Sequence, residues 1–381
     1  MVSLIDIALV KSDSILNLPT VRDQKILRSL AKKYSVVALG WDREGAHKDL
    51  SDFQFKSSFF RFRAPYVTSR YDAIRLIVCY PVFWLWTIMN LFHYAPSCVH
   101  ACDLGTAPAC YLYKILFRKK MVFDVFDRYA MAYIPSHRNF LFKMLYYIVN
   151  RIEEFYATRA DVLINVSDEL LATYSKKPEN CRTIMNCSED QIEGMSKVKR
   201  SKKFTVLFSG HIRTGRGLEI LSEVVGDLKD VELVITGRVQ DKQLLDKLRG
   251  ISNITYRGYL DENKLLELES NSDVMVALYD LKVQTQNKFV VGNKLFKSMM
   301  WGIPIITNVA NEIVNETNCG IIVEYDNADK LKSTIMNLRD NAGLKKTLGQ
   351  NGRKAFVQKY NWKIMEQRLY DIYDCLLGSF K

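Results

Sequence analysis

Short apolar runs typical of buried strands alternate with helical patterns along the chain, and this alternation occurs twice. In the first half the predicted strands are residues 5–10, 35–40, 97–101, 121–125, 162–166 and 182–185. In the second half they are residues 204–209, 231–236, 253–257, 274–278, 303–307 and 320–324. Strands that alternate with helices form parallel sheets with helices packed on both faces. The pattern therefore predicts an α/β protein with two parallel-sheet domains.

A polar stretch without apolar periodicity, residues 187–203, separates the two halves. Domain boundaries commonly fall in such stretches, and 381 residues are enough for two hydrophobic cores. We therefore predict an N-terminal domain over residues 1–190 and a C-terminal domain over residues 200–362. The last segment, residues 363–381, carries apolar residues at near-helical spacing, so we expect a final helix that needs a surface to cover.

The charge balance is basic, with 54 Lys and Arg against 42 Asp and Glu and a net charge of +12. Such a chain attracts polyanions, and nucleic acid, anionic lipid and phosphorylated substrates all fit this charge. Five basic residues lie in KVKRSKK, residues 197–203, although runs of this kind are usually solvated linkers. Charge alone therefore does not choose the partner.

The cysteine pattern and the N-terminus argue against two further classes of protein. The eight cysteines are scattered without a CxxC pair or a His/Cys spacing suited to zinc, so we expect no metal site and a reducing compartment. The N-terminal segment MVSLIDIALVKSD has an apolar run that is shorter than a signal core and is interrupted by Asp6. It favours a first buried strand over a secretory signal.

A glycine-rich turn joins a strand to a helix in FSGHIRTGRGLEIL, residues 208–221. Its glycines do not have the GxGxxG dinucleotide spacing, but the turn offers backbone N–H groups, a helix N-terminus and cations to an anion such as pyrophosphate. A plain strand-to-helix turn is the alternative. The segments TGR, residues 236–238, and ITYRGYL, residues 254–260, follow the next two strands and would lie at the same carboxyl edge of the sheet.

The segment VGNKLFKSMMWGIPIIT, residues 291–307, is typical of a helix that Gly302 and Pro304 end just before a buried strand. The start of this helix is a second place where an anion can bind. Together with the glycine-rich turn, it indicates a half-domain that binds a nucleotide diphosphate, and so a group-transfer enzyme.

The order of the motifs resembles that of the family 4 glycosyltransferases, which have the two-domain GT-B fold, over nearly the whole chain. In the first half, SCVHACDLGTAPA (97–109) resembles the HAHD segment of the family, and KKMVFDVFDRYA (119–130), DVLINVSDEL (161–170) and IMNC (184–187) follow in its order. In the second half, GHIRTGRG is similar to the G-R-x-x-x-x-K-G donor-phosphate loop. The segments at 253–278, 292–307 and 311–323 then follow in the family's order.

This resemblance implies two Rossmann-like domains that face a central cleft, with the last helix crossing back onto the N-terminal domain. It implies a retaining, metal-independent glycosyltransferase that moves a sugar from a UDP- or GDP-sugar to a glycan or lipid-linked acceptor, as in the synthesis of surface polysaccharides and glycolipids. The nucleotide-sugar would be the donor substrate, no further cofactor is expected, and nucleic acid is not expected as a partner.

The resemblance also assigns site residues. Arg216 would bind the donor diphosphate beside the N–H groups of Gly210 and Gly217, and His211 and Arg216 occupy the arginine and lysine places of the loop. The other implied donor-binding residues are Arg213, Arg238, Tyr256, Tyr259, Leu260, Asn293, Lys294, Lys297, Glu312 and Ile313. The implied catalytic or acceptor-side residues are His100, Asp103 and Asp127, although Asp103 and Asp127 also suit turns and helix caps.

The sequence departs from the family at four places. The family commonly has two glutamates separated by seven residues, and here those places hold Phe289 and Lys297, of which a lysine cannot accept hydrogen bonds from ribose hydroxyls. At two positions where the family often has histidine, this chain has Phe126 and Cys102.

Two interpretations of these departures remain. In an active enzyme, Asp103 and Asp127 contact acceptor or sugar, and Lys297 adds positive charge near the diphosphate. In a degenerate protein, the chain only binds a sugar-nucleotide or glycan as the partner of another transferase. A sugar-nucleotide 2-epimerase has the same architecture and is a further alternative.

Two apolar segments of the first half bear on localisation. The run LIVCYPVFWLWTIMNLF, residues 76–92, is interrupted by Pro81 and Asn90 and suits a membrane span, an interfacial or groove-lining helix, or a buried helix. The run RNFLFKMLYYIVNR, residues 138–151, is apolar nearly all round with cations at both ends, so it is either deeply buried or dips into an anionic bilayer interface. We expect a cytoplasmic protein that is peripheral at the inner face of the cell membrane.

Overall fold

The computed structural model describes residues 5–12, 22–43, 55–61, 70–134, 139–176, 179–192, 203–282 and 292–378, with backbone only for residues 70–77 and 133. Residues 197–202 of the basic cluster, Phe289 and residue 138 lie outside these ranges. The chain divides into two units. The first contains Met1–Ile184 and Glu366–Lys381, and the second contains Met185–Met365.

The first unit is built on a seven-stranded sheet in the order β3-β2-β1-β4-β5-β6-β7 with every pair parallel. Its strands are β1 Ile7–Lys11, β2 Val36–Trp41, β3 Lys56–Phe60, β4 Cys98–Cys102, β5 Lys120–Val125, β6 Val162–Asn165 and β7 Cys181–Thr183. Its helices are α1 Arg22–Ala31, α2 Arg70–Tyr94, α3 Ala107–Phe117, α4 Tyr129–Tyr133, α5 Phe140–Arg159 and α6 Asp168–Leu171. The central strands are apolar on both faces because helices cover both sides of the sheet.

The second unit has a six-stranded parallel sheet in the order β10-β9-β8-β11-β12-β13. Its strands are β8 Phe204–Ser209, β9 Val231–Thr236, β10 Ile254–Tyr256, β11 Val274–Ala277, β12 Ile305–Thr307 and β13 Gly320–Ile322. Its helices are α7 Leu218–Gly226, α8 Lys242–Arg249, α9 Glu262–Ser270, α10 Asn293–Trp301, α11 Asn311–Thr317, α12 Ala328–Asp340 and α13 Ala342–Gln358.

Both strand orders are those of doubly wound sheets, and the prediction of two Rossmann-like parallel-sheet domains is confirmed. All twelve predicted strands are present with ends shifted by at most two residues. The strand that the sequence did not predict is β3, whose residues KSSFF pair with β2 at the sheet edge. An edge strand with half-buried, partly polar residues lacks the apolar run by which the other strands were identified.

The reversal of strand order fixes where each sheet can bind a ligand. In doubly wound sheets the crevice lies at the carboxyl ends of the two strands on either side of the reversal. These strands are β1 and β4 in the first unit, and β8 and β11 in the second. The loops after them carry Asp103 and the glycine-rich turn, respectively.

The last helix, α14 Trp362–Leu377, belongs to the first unit from Glu366 onward. Glu366 pairs with Lys32 at 2.7 Å, and the carboxylate of Asp374 accepts a hydrogen bond of 2.6 Å from the Tyr34 hydroxyl. Leu369 and Tyr373 are fully buried. The helix predicted for the end of the chain therefore returns to the N-terminal domain.

Candidate functional site

The glycine-rich turn of the second unit, residues 210–217, leaves β8 and opens α7. Gly217 has a φ of 81°, and a Cβ atom there would lie 2.6 Å from the Cβ of Leu278 in the loop after β11. A Cβ on Gly237, whose φ is 139°, would lie 1.8 Å from the carbonyl oxygen of Gly210. Only glycine permits these backbone approaches. The loops after β8, β9 and β11 are therefore packed together at one edge of the sheet.

Much of the backbone of this turn is already hydrogen-bonded within the protein. The N–H of Gly210 donates to the Thr236 carbonyl at 2.9 Å, and the N–H of Gly215 donates to the Glu219 carboxylate at 2.8 Å. The N–H of Gly217 interacts with the Tyr325 hydroxyl. The expectation that the N–H groups of Gly210 and Gly217 face a diphosphate is thus corrected, because the sheet ladder and a neighbouring hydroxyl occupy them.

Two cations lie at this edge instead, Lys294 buried and Arg216 half-buried. The Nζ atom of Lys294, in the first turn of α10, lies 3.9 Å from the centre of the Phe208 ring and 5.8 Å from that of Tyr279. The guanidinium of Arg216 lies 5.1 Å from the same Tyr279 ring, and its Nε atom is buried without a hydrogen-bond partner among the described residues. Neither cation forms an ion pair with a carboxylate of the described chain.

The electrostatic state of Lys294 reflects this placement. Its side chain is only 9% exposed, and burial, followed by the charge of Arg216, lowers the pKa of its ammonium to about 7. A buried cation without a counter-ion is costly, and an anion bound between Lys294 and Arg216 would remove that cost. No side chain caps the first turn of α10, so its N–H groups add to this anion-binding potential.

The other cations of the glycine-rich turn surround this pair. His211 is exposed as a residue, but its imidazole is partly buried. This partial burial, followed by the charges of Arg216, Arg213 and Arg238, lowers the pKa of the imidazole. The predicted convergence of His211, Arg213, Arg216 and Arg238 is therefore present in the structure. Together with Lys294 they create a positive potential at the carboxyl edge.

The loops after β9 and β10 form the next wall of this edge. The Tyr256 hydroxyl donates to the Gly237 carbonyl at 2.9 Å, and the N–H of Gly237 donates to the Gly258 carbonyl at 3.0 Å. The guanidinium of Arg238 lies 5.0 Å from the centre of the exposed Tyr259 ring. Leu260 is half-buried beside them. An exposed aromatic ring next to an arginine can stack on a planar group such as a nucleobase.

Lys297 lies on the side of α10 that packs against α9. Its ammonium is 2.8 Å from Glu269, whose carboxylate is fully buried and also accepts a 3.2 Å hydrogen bond from the Trp301 indole. The expectation that Lys297 adds positive charge near a diphosphate is corrected, because Glu269 neutralises it within the helix pair.

The remaining predicted donor residues are placed separately. Asn293 is exposed at the start of α10. Glu312 is exposed and Ile313 is buried in the first turn of α11. The loop that leads into α11 is anchored by Asn308, whose amide bonds both backbone polar groups of Tyr279, at 2.9 and 2.7 Å.

In the first unit, Asp103 follows β4 with a left-handed backbone, φ 76°. Its carboxylate accepts hydrogen bonds from the Ser12 hydroxyl at 3.1 Å and the Gly105 N–H at 2.9 Å. Burial raises the pKa of Asp103 to about 6, against the opposing charge of Lys11. Lys11 pairs with Asp23 at the end of β1. Asp103 thus lies in a polar cluster at the β1/β4 edge.

Asp127 lies in the loop after β5 and is half-buried. Its carboxylate has no hydrogen bond or ion pair with any residue in the described ranges, and burial raises its pKa. The next residue, Arg128, is fully buried, pairs with Glu153 at 2.6 Å and lies 3.8 Å from the Tyr174 ring centre. The buried arginine therefore fixes the backbone beside a carboxylate that is left unengaged.

His100 lies in the core and not at an accessible edge. It is fully buried in β4, with Nδ1 at 2.6 Å from the Tyr373 hydroxyl of α14 and Nε2 at 3.3 Å from Asp124. Arg22 and His100 lower the pKa of Asp124, although burial opposes them. The expectation that His100 lines the acceptor side is corrected, because the returning C-terminal helix covers it.

The sequence did not single out Tyr279, Phe208 or Glu269. Tyr279 follows a strand next to the sheet reversal, and that position was a usable signal. Phe208 reads as an ordinary core residue of β8. Glu269 gives no local signal, because its partner Lys297 is 28 residues away. Among the described residues, no three His, Cys, Asp or Glu side chains are grouped in a way that could hold a metal ion.

Comparison with known proteins places this geometry in context. The family model described as glycosyl transferases group 1 matches residues 203–341, within the second unit. A glycosyltransferase of Methanocaldococcus jannaschii, itself uncharacterized, is 22% identical over 285 residues, which are 70% of this chain and 71% of that protein.

Two solved structures share the fold. Sucrose-phosphate synthase from Thermosynechococcus elongatus matches with a TM-score of 0.76 at 16% identity, covering 98% of this chain and 99% of the other. HepE from Anabaena, in complex with UDP, matches with a TM-score of 0.71 at 13% identity, covering 97% and 100%. The GT-B fold expected from the motif order is thereby confirmed.

Proposed function

We propose that this chain, a glycosyltransferase of the GT-B fold with a group 1 second domain, moves a sugar from a UDP- or GDP-sugar to a glycan or lipid-linked acceptor with retention of configuration. The observation that carries the proposal is the pair of cations formed by half-buried Arg216 and buried Lys294, which lack a carboxylate partner in the described chain. They stand at the strand-order reversal of the second sheet, where doubly wound folds bind ligands.

A diphosphate is the anion that suits this pair best. Arg216 can hold one phosphate with two parallel hydrogen bonds, and the Lys294 ammonium adds a compact charge beside it. The nearby Tyr259 ring and Arg238 offer a stacking surface to the base of the same nucleotide. The bound UDP of the structurally similar HepE supports a nucleotide diphosphate rather than a free phosphate.

The proposed chemistry follows from charge and position. The bond between the sugar C1 and the β-phosphate oxygen breaks, and the acceptor hydroxyl oxygen forms a bond to C1 on the same face. The acceptor proton passes to the departing phosphate oxygen, so atoms and charge balance. Arg216 and Lys294 would stabilise the negative charge that develops on the diphosphate, and no metal ion is required by this scheme.

Asp127 is the residue that we assign to the acceptor or the sugar. Its carboxylate is half-buried, has no partner among the described residues, and follows a backbone that Arg128 fixes. Asp103 has its hydrogen bonds with Ser12 and Gly105 and shapes the loop after β4. We therefore give Asp127 the contact role and Asp103 the positioning role.

A non-catalytic sugar-nucleotide-binding protein is the second candidate, and one observation favours it. At the place of the family's ribose-binding glutamate, Lys297 is tied to Glu269, so this position offers the ribose no carboxylate. Such a protein would bind the nucleotide but leave the donor intact.

The test is release of nucleotide from a panel of UDP- and GDP-sugars, with and without lipid-linked glycan acceptors. An active enzyme releases UDP or GDP from one donor, faster with the correct acceptor, and the product keeps the anomeric configuration by NMR. Release in the presence of EDTA checks the metal-free scheme. Binding of UDP or GDP without release from any donor would favour the second candidate.

For localisation, we propose a cytoplasmic protein that attaches peripherally to the inner face of the membrane. No helix in the described ranges is long and apolar enough to cross a bilayer. The apolar helices of the first unit and the net charge of +12 support attachment to an anionic surface.

A further inference from the structure

We infer that three helices of the first unit, α2, α3 and α5, together form one docking face for the surface of an anionic lipid bilayer. The inference rests on the proposed function, because attachment at this face would bring the enzyme to a lipid-linked acceptor. The docking face is defined as the exposed apolar side chains of these three helices.

The first argument is the concentration of exposed apolar groups. Seventeen of the twenty exposed large hydrophobic side chains in the described residues lie on α2, α3 and α5. The three others, Tyr259, Met336 and Val357, are dispersed over the second unit. Contiguous exposed apolar surface of this extent marks a binding site for a protein or a membrane.

On α2 the exposed side chains follow helical spacing closely. Val78, Val82, Leu85, Met89 and Phe92 recur every three or four residues and occupy one stripe. The opposite stripe packs into the core. The helix continues through Pro81 and Asn90, the two residues that interrupt the apolar run in the sequence. Along its described side chains, α2 therefore has one stripe buried in the core and one stripe exposed.

The other two helices carry stripes of the same kind. On α3, Leu112, Ile115 and Leu116 are exposed on one side. On α5, the exposed stripe contains Leu141, Met144, Leu145, Ile148 and Ile152. The sequence alone did not indicate α3 as a partner of the other two helices.

The stripes join through aromatic contacts at their borders. The rings of Phe92 on α2 and Phe117 on α3 are 5.9 Å apart, and those of Tyr111 on α3 and Phe155 on α5 are 5.4 Å apart. Lys114 of α3 also donates to the Arg159 carbonyl at the end of α5 at 2.7 Å. The three stripes therefore form one surface with α3 in the middle.

The charges around this surface select its partner. Lys143 and Arg151 are exposed on α5, Arg118 and Lys119 follow α3, and none of the four pairs with a carboxylate of the described residues. Among the described side chains of the three helices, the carboxylates are Glu153 and Glu154, and both are buried against Arg128. An apolar face with unpaired cations and, among its described side chains, no exposed acid is complementary to anionic headgroups, whereas two copies of it would repel each other.

The docking face is also tied to the candidate acceptor loop. The inner side of α2 carries Trp84, whose indole donates to the Gly105 carbonyl at 2.8 Å, and Tyr80, whose hydroxyl lies 3.4 Å from the Ser12 hydroxyl. Both partners contact Asp103. Attachment through the outer side of α2 would therefore hold the loop after β4 close to the bilayer.

The test is flotation of the full chain with vesicles of phosphatidylcholine alone, or of phosphatidylcholine and phosphatidylglycerol in equal amounts. We expect binding to the anionic vesicles that weakens as salt rises. The variant Leu85→Glu/Leu116→Glu/Leu145→Glu places one charge on each helix and should lower vesicle partitioning by at least about tenfold. The matched control, Met336→Glu/Val357→Glu, changes exposed apolar residues of the second unit and should float like wild type.

A second variant tests the cations. Arg118→Ser/Lys119→Ser/Lys143→Ser/Arg151→Ser should lose the preference for anionic vesicles and the salt dependence. Equal flotation of the triple glutamate variant and wild type would overturn the inference. So would a wild-type dimer in light scattering that does not float and that the triple variant makes monomeric, because the face would then bind a second copy.

Nucleotide release separates this inference from the proposed function. The triple glutamate variant should release UDP or GDP from a soluble donor at the wild-type rate. Flotation without any nucleotide release would contradict the proposed function and leave the docking face standing. Nucleotide release without flotation would contradict the docking face alone.

Discussion

The ammonium group of Lys294 lies 3.9 Å from the centre of the Phe208 ring, at the end of β8. Only three residues further along α10, the ammonium of Lys297 is held at 2.8 Å from the buried carboxylate of Glu269. On the same helix, Lys297 faces α9 and is neutralised by a carboxylate. Lys294 faces the glycine-rich turn and has no carboxylate partner in the described chain. This difference is the reason that we assign the diphosphate to Lys294 and not to Lys297.

Diphosphate binding should depend on pH through Lys294. Its pKa of about 7 in the free protein would rise when a diphosphate binds, so binding takes up a proton above pH 7. Affinity should fall by up to about tenfold per pH unit above 7. Calorimetry with UDP and GDP at pH 8 in two buffers of different ionisation enthalpy measures the uptake, which we expect to approach one proton per site.

Lys294→Met is the control for that experiment, and it should bind more weakly and take up no proton. Wild-type binding without proton uptake at pH 8 would show that Lys294 does not contact the diphosphate.

The stability of the nucleotide-free protein should change with pH in the opposite direction to the binding affinity. The unfolded chain binds the proton of Lys294 more tightly than the folded chain does. Lys294 therefore makes the free energy of unfolding rise between about pH 7 and roughly 10.

The Lys297–Glu269 pair should contribute to stability. Lys297→Met leaves a fully buried carboxylate unpaired and should lower the free energy of unfolding by about 3–5 kcal/mol. The double variant Lys297→Met/Glu269→Leu removes both charges and should recover much of that loss. Urea unfolding of Lys297→Met, Glu269→Leu and the double variant measures the coupling energy between the two side chains. If the double variant lost as much stability as the two single variants together, the pair would not act as a unit.

Asp127→Asn should lower the rate of sugar transfer without weakening the binding of the donor nucleotide. The amide keeps the shape of the side chain but cannot carry the negative charge, so a charge-assisted hydrogen bond to the acceptor or the sugar is lost. Since such a bond is worth about 1.5–3 kcal/mol, we expect a fall of at least about tenfold in acceptor-dependent nucleotide release. Calorimetry with UDP or GDP serves as the control and should be unchanged. A transfer rate equal to that of wild type would assign Asp127 to the loop structure alone.

The sequence predicted the two sheets and the cluster of cations for clear physical reasons. Strands such as β8 and β9 are predominantly apolar and buried, and loops that follow parallel strands meet at one edge. That rule is sufficient to predict that His211, Arg213, Arg216 and Arg238 lie together.

The parts that the sequence did not predict depend on distant contacts. His100 is buried because Tyr373, 273 residues later, packs onto it. Lys297 is neutralised by Glu269 on another helix. The Gly210 N–H is unavailable because β9 pairs with the residue. A motif indicates which residues are near a site, but tertiary packing decides which of them remain free to bind.

The most direct test of the account is a calorimetric titration of UDP and GDP into wild type and Arg216→Ala. We predict that wild type binds at least one of the two nucleotides. Arg216→Ala should bind it about 10- to 100-fold more weakly, because a charge-assisted hydrogen bond to phosphate is lost. The matched control is Arg339→Ala, which removes a half-buried arginine of α12 that pairs with its neighbour Asp340 and should bind like wild type. Failure of wild type to bind either nucleotide, or equal binding by wild type and Arg216→Ala, would contradict the account.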